Sequence, residues 1–261
     1  MIEAAHGVEL GPLLAAARQA GARILEIYGR DFEVDYKEDQ SPLTEADRAA
    51  NDVIMEFLRA DHPAVPVISE ENRQLGYDER KDWKRFWLVD PLDGTKEFIK
   101  KNGEFTVNIA LVEDGVPVLG VVYRPVTGTM YVGVHGEGAW RIEDGGAPEA
   151  ISGGPHYSGK DEVKVVASRS HLTPEVEDFV ARLRDEGKTV DFLSAGSSLK
   201  LCLVAEGAAD VYPRFGPTME WDTGAAHAVA TAAGKKVLAV ETGEDLRYNK
   251  ENLLNPYFIV E

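Results

Sequence analysis

Asp90 and Asp93 flank Pro91-Leu92 directly after the apolar run Phe86–Val89, so two carboxylates share one tight turn. At about 4 Å and an effective dielectric near 20, such a pair repels by about 4 kcal/mol. Intervening solvent relieves this, and so does a divalent cation. Gly94 then permits a sharp backbone path, and Thr95 is expected to cap a helix whose first amides suit a phosphate. With no His or Cys nearby the donors are all oxygen, which suits Mg2+ or Mn2+ rather than Zn2+. A surface turn whose aspartates cap the helix accounts for the same residues, and at this point both readings stand.

Other carboxylates occupy comparable places. Glu70-Glu71 closes the apolar run Val65–Ser69, Asp47 lies in the first turn of a helix, and Asp222 follows Trp221 at the opening of an Ala-rich helix. Each alone is an ordinary capping or solvated acid of an acidic chain. Jointly, at the ends of apolar elements, they have the placement from which several side chains converge on one cleft.

The elements that must carry them follow from periodicity. Leu10, Leu13, Leu14, Ala17, Ile24, Leu25 and Tyr28 recur at helical spacing and predict an amphipathic first helix. A short strand near Phe32–Tyr36 comes next, then a helix capped by Thr44 that runs to about Leu58. Val65–Ser69, Phe86–Val89, Val107–Val112, Val116–Tyr123, Met130–Val134 and Gly138–Ile142 read as strands, the last four joined by turn signals at hairpin spacing. The Gly-, Pro- and Ser-rich stretch Glu143–Lys160 is the expected boundary between an N-terminal α+β half, residues 1–150, and a C-terminal α/β half, residues 151–261. Beyond it the rhythm alternates. Strands are expected at Val163–Ala167, Thr189–Leu193, Ala209–Tyr212 and Val237–Val240, and helices at Pro174–Arg184, Gly196–Glu206 and Trp221–Ala233.

Composition narrows the function. The 261 residues carry a net charge of −17, which argues against a nucleic-acid partner because that needs a basic face. The same charge is awkward for an enzyme that acts on a phosphate, unless bound metal or a few placed Lys and Arg supply the positive field. No apolar run reaches the roughly 18 residues of a membrane span, and the first residues do not spell a secretory signal, so the cytoplasm is the default address. The single cysteine, Cys202, lies in an apolar helical stretch and reads as buried and structural; no zinc-holding thiolate cluster is available. His227, five positions after Asp222, points to another face and reads as structural.

At these residues a family comes into view. Asp90-Pro91-Leu92-Asp93-Gly94-Thr95 resembles the D-P-[IL]-D-G-T signature of the inositol monophosphatase superfamily, and Trp221-Asp222-Thr223-Gly224-Ala225 resembles its second signature, W-D-x-[AG]-[AG]. Ser69-Glu70-Glu71 and Thr44-x-x-Asp47 fall in the family's order and spacing. Within the superfamily, Asp93-Gly94-Thr95-Lys96-Glu97-Phe98, the run Asn102–Ala110 and Gly196-Ser197-Ser198-Leu199-Lys200 resemble the CysQ-type 3'(2'),5'-bisphosphate nucleotidases.

The resemblance implies a layered αβαβα sandwich and a Mg2+-dependent phosphatase acting on 3'-phosphoadenosine 5'-phosphate. It implies that Glu70, Asp90 and the Leu92 carbonyl hold one Mg2+, and that Asp90, Asp93 and Asp222 hold a second. A third, weaker ion, substitution by Mn2+ and inhibition by Li+ are further implications. Thr95 and Asp47 would together orient and deprotonate the attacking water. Gly94, Thr95, Ser197, Lys200, His171, Arg214 and Asp222 fall where relatives contact substrate, while Lys200 and Arg214 as plain surface charge is the competing reading. An inositol phosphate or fructose 1,6-bisphosphate substrate is the first alternative, and a non-catalytic regulatory homologue the second. A monomer and a homodimer are both compatible with the chain, as is peripheral contact with the inner face of the membrane.

Overall fold

The apolar stripe of the first helix is buried from Leu10 to Ile24 in α1 (Leu10–Tyr28), with Leu25 and Tyr28 half-buried at its end, and α1 follows the small hairpin of β1 (Ala4–Ala5) and β2 (Val8–Glu9). The computed structural model describes residues 3–36, 42–167 and 173–261. β3 (Val34–Tyr36) pairs with β4 (Pro42–Thr44), and Thr44 caps α2 (Glu45–Asp61) through a reciprocal box with Asp47. Next come β5 (Val67–Ser69), the single turn α3 (Tyr77–Arg80), β6 (Arg85–Asp93) and the short α4 (Thr95–Ile99). The meander β7 (Thr106–Glu113), β8 (Val116–Arg124), β9 (Thr129–Val134), β10 (Gly138–Ile142) and β11 (Glu149–Ile151) completes a seven-stranded sheet in the order β11-β10-β9-β8-β7-β6-β5.

The alternating part follows: β12 (Glu162–Val166), α5 (Pro174–Asp185), β13 (Thr189–Leu193), α6 (Leu199–Ala205), β14 (Tyr212–Arg214), α7 (Glu220–Ala232), β15 (Val237–Ala239) and β16 (Phe258–Val260). β12 and β13 pair in parallel, while β14-β16-β15 form a small antiparallel sheet.

Three apolar clusters show why the layers stack. Trp87, Val89, Val107, Ile109 and Leu111 of the large sheet pack on α1 and α2. Phe86, Leu88, Ala110 and Val112, of opposite parity in the same strands, pack on α6 and α7. Val163 and Val165 of β12 pack on Val176, Phe179, Val180 and Leu183 of α5. The order is helix, sheet, helix, sheet, helix, as expected.

α7 crosses the sheet at close range. A Cβ on Gly120 or Gly133 would run into the backbone of Ala225 or of Ala228-Val229, so the two glycines let the helix that carries Asp222 lie directly on β8 and β9.

Two expectations need correction. The helix expected over Gly196–Glu206 begins only at Leu199, because Ser197 has a left-handed φ of +48° that no helix contains. The strand expected over Ala209–Tyr212 is displaced to Tyr212–Arg214, where β16 supplies a partner. Before it, Asp210 is tied by its carboxylate to the Lys164 amide, and only Val211 bridges to Val165. The three-residue strands β11 and β16 had no signal of their own.

Candidate active site

Strand parity and strand ends gather the acids. β5 and β6 run parallel with Ser69 opposite Val89, and the Glu70 amide donates to the Val89 carbonyl at 3.2 Å, so Glu70 and Asp90 leave adjacent strand ends together. Asp90 continues the parity of Phe86 and Leu88, toward α6 and α7. β6 then breaks register between Asp90 and Asp93, its partners on β7 being Asn108 and Thr106. The irregularity turns the chain through Pro91-Leu92, with the Leu92 amide donating to Asp90 Oδ1 at 3.0 Å. Asp222 enters from the other side as the third residue of α7, its carboxylate accepting the Met219 amide at 2.8 Å.

The charges of these acids act on one another. Asp90, 1 % exposed, is pushed well above the ordinary aspartate range by burial first and then by Glu70, Asp93 and Asp222. Burial raises Asp93 to about 7 against the opposing pull of Lys200 and the Ser198 amide. Burial, with Asp93 beside it, raises Asp222 to about 8. Three carboxylates whose pKa values are all raised mark a site short of positive charge. Among the described residues, no three acidic, His or Cys side chains already surround a common point at ligand distance. The donor chemistry fits a hard divalent cation: carboxylate oxygens and a carbonyl, with neither sulfur nor imidazole.

Asp47 and Thr95 meet at the edge of this group. Asp47 Oδ2 accepts both the Thr44 amide at 2.8 Å and the Thr44 hydroxyl at 2.7 Å, while Oδ1 accepts the Thr95 hydroxyl at 3.3 Å. One oxygen is thus an anchor and the other faces the site. Burial raises Asp47 to about 6, despite the Thr44 hydrogen bonds that favour its anion. Thr95 is not the helix cap the sequence suggested. Gly94 takes that position with φ +93°, which only glycine holds without strain, and Thr95 becomes the first helical residue. Its hydroxyl is thereby released to reach Asp47.

Asp93, Gly94, Ser197, Lys200, Arg214 and Asp222 line one cleft of about 260 Å³. Lys200, Tyr212 and Arg214 also wall an adjoining recess of about 150 Å³ that is lined by Phe215 and Pro213. The sequence-derived contact residues therefore lie together, apart from His171, which lies outside the described residues. His227 is buried away from the cleft with Nδ1 3.0 Å from the Tyr248 hydroxyl, and Cys202 is fully buried. Sequence reasoning missed Thr106, Asn108 and Ser198, which knit the cleft wall to β7. Two polar residues of equal parity in a strand that is apolar from there to Val112 were the available signal.

The family is established over nearly the whole chain. Residues 10–257 match the Inositol monophosphatase family, and the chain belongs to it. Its relatives include the 3'(2'),5'-bisphosphate nucleotidase CysQ of Escherichia coli K12, 50% identical over 247 residues that cover 94% of this chain and 96% of that protein. The Haemophilus influenzae protein of the same name is 36% identical and covers 96% and 91%. Among solved structures, CysQ from Bacteroides thetaiotaomicron superposes with a TM-score of 0.82 at 50% identity, covering 96% of each chain. Bartonella henselae suhB, at 24% identity and a TM-score of 0.74 over 95% and 93% of the two chains, shares the fold.

Proposed function

We propose that this protein is a Mg2+-dependent phosphatase that removes the 3'-phosphate of 3'-phosphoadenosine 5'-phosphate, giving AMP and inorganic phosphate. The observation that carries the reading is the pairing, in one cleft, of Asp93 and Asp222 from the acid cluster with the cations Lys200 and Arg214, beside a recess of apolar and aromatic lining. A substrate with one reacting phosphate, a second anionic group and a flat base has a complementary surface for each part. The half-identical bisphosphate nucleotidase of Escherichia coli K12 supports the same substrate class.

Glu70, Asp90 and the Leu92 carbonyl would hold one ion, and Asp90, Asp93 and Asp222 a second, with Mn2+ as a substitute. When bound, the ions supply positive charge against the transferring phosphoryl group and lower the pKa of water. The remaining chemistry belongs to the chain. Thr95, whose proton is directed at Asp47 Oδ1, keeps its lone pairs to orient the attacking water, and Asp47 takes up the proton released. Water oxygen bonds to phosphorus as the bond to the 3' oxygen breaks; the 3' oxygen takes a proton from solvent, and Asp47 gives its acquired proton back to solvent. Ser197 and Lys200 hold the second phosphate, Gly94 lets it approach the backbone, and Arg214 contacts the nucleoside side.

Phosphate release from 3'-phosphoadenosine 5'-phosphate, inositol 1-phosphate and fructose 1,6-bisphosphate in Mg2+ tests this. The bisphosphate nucleotide is expected to have the highest kcat/KM. Faster turnover of inositol 1-phosphate would refute the substrate assignment.

A further inference from the structure

Before its closing Glu113, β7 is apolar apart from Thr106 and Asn108, both buried, on one face, and paired across the sheet with Asp93 and Asp90. Their side chains close a ring with Ser198. Asn108 Nδ2 lies 3.1 Å from Thr106 Oγ1, Thr106 Oγ1 lies 2.8 Å from Ser198 Oγ, and Ser198 Oγ lies 2.7 Å from Asn108 Oδ1.

Proton counting gives the ring a direction. Asn108 Oδ1 can only accept, so Ser198 spends its single proton there. Ser198 must then accept from Thr106, which in turn accepts from the Asn108 amide. Thr106 has no proton left for Ser197, whose hydroxyl oxygen is 3.2 Å away, so without substrate Ser197 donates to Thr106, and a bound phosphate draws that proton to itself. Each donor the ring uses is matched to one acceptor, in a site where a lost partner leaves a buried polar group unpaired.

The ring holds a turn that is unfavourable by itself. Ser197 adopts φ +48°, and a Cβ on Gly196 would meet the Glu104 carbonyl at 2.7 Å. From this turn the Ser198 amide donates to Asp93 Oδ2 at 2.6 Å, and Lys200 Nζ donates to the Ser197 carbonyl at 3.2 Å. The ring is therefore the link between the strand opposite the acids and the residues facing the second anionic group.

We propose that the Thr106–Asn108–Ser198 ring is a positioning element that sets the distance from Asp93 to Ser197 and Lys200, and thereby selects substrates with a second phosphate. This rests on the bisphosphate reading above. None of the three side chains need touch substrate.

The test compares kcat/KM for 3'-phosphoadenosine 5'-phosphate with kcat/KM for 3'-AMP in wild type, Thr106→Val and Thr106→Ser. Thr106→Val keeps the shape and removes the hydroxyl, and the ratio of the two values is expected to fall about tenfold, mainly through KM for the bisphosphate. Thr106→Ser restores the hydroxyl and should keep the wild-type ratio. Loss of folded enzyme lowers both rates together and leaves the ratio unmoved. If Thr106→Val is too unstable to assay, Ser198→Ala breaks the same ring and is expected to lower the ratio likewise. An unchanged ratio in a folded, active ring variant would overturn the positioning role. A wild type that does not prefer the bisphosphate would overturn the substrate reading, and the selectivity argument with it.

Discussion

Replacing Asp47 with Asn should make the protein more stable and nearly inactive. Asp47 is 2 % exposed, and burial raises its pKa from 3.8 to about 6. Keeping the carboxylate ionised above pH 6 therefore costs the folded state about 3 kcal/mol relative to the unfolded chain. The sign follows from the raised value. The folded state binds more protons between pH 4 and pH 6, so stability falls as pH rises through that window and is level above it. Asn keeps the capping box, because its carbonyl can accept the Thr44 amide and hydroxyl that now bond Oδ2. Its amide group, a donor, replaces the oxygen that accepts from Thr95. Urea unfolding in EDTA at pH 8 should show Asp47→Asn more stable by up to about 3 kcal/mol, with the gain vanishing near pH 4. With saturating Mg2+, kcat should drop about 10²- to 10⁴-fold, as expected for loss of a general base. A destabilised variant, or one that turns over at the wild-type rate, would refute this account of Asp47.

His227 makes the opposite pH prediction. Its pKa is lowered from 6.5 to about 3, by burial and then by Arg247, so stability rises with pH between those values. At pH 5 the neutral ring costs about 2 kcal/mol of stability relative to pH 8, and His227→Asn, which retains a donor toward Tyr248, should lack that loss in parallel unfolding curves. Equal pH slopes would contradict it. Gly133→Ala should destabilise by about 1–3 kcal/mol, because its Cβ meets the backbone of α7 and not a movable side chain, and thermal unfolding reads this directly. An unchanged melting temperature would show that α7 does not need this close approach.

The elements with strong local signals were legible in the chain itself. The stripe from Leu10 to Tyr28, the box of Thr44 with Asp47 and the hairpins at Asp114-Gly115 and Thr127-Gly128 each depend on residues close together in sequence. β11 and β16 were not legible because three residues carry too little periodicity, and each exists through its partner. At the site, the acids stood out because charge at the end of an apolar strand needs an explanation. Which residue capped α4 did not stand out, since it turns on the backbone angles of Gly94. The Thr106–Asn108–Ser198 ring joins residues about 90 apart in the chain and is visible only once β7 and the Ser197 turn are packed together.

The central claim is that the carboxylates around Asp90 bind divalent cations for phosphate transfer. Asp93→Asn tests it most directly, because the change removes one charge and almost no volume from the cluster. Mg2+-dependent hydrolysis of 3'-phosphoadenosine 5'-phosphate should fall by several orders of magnitude, while the metal-free variant stays folded. Wild-type turnover with wild-type Mg2+ dependence in Asp93→Asn would contradict the claim.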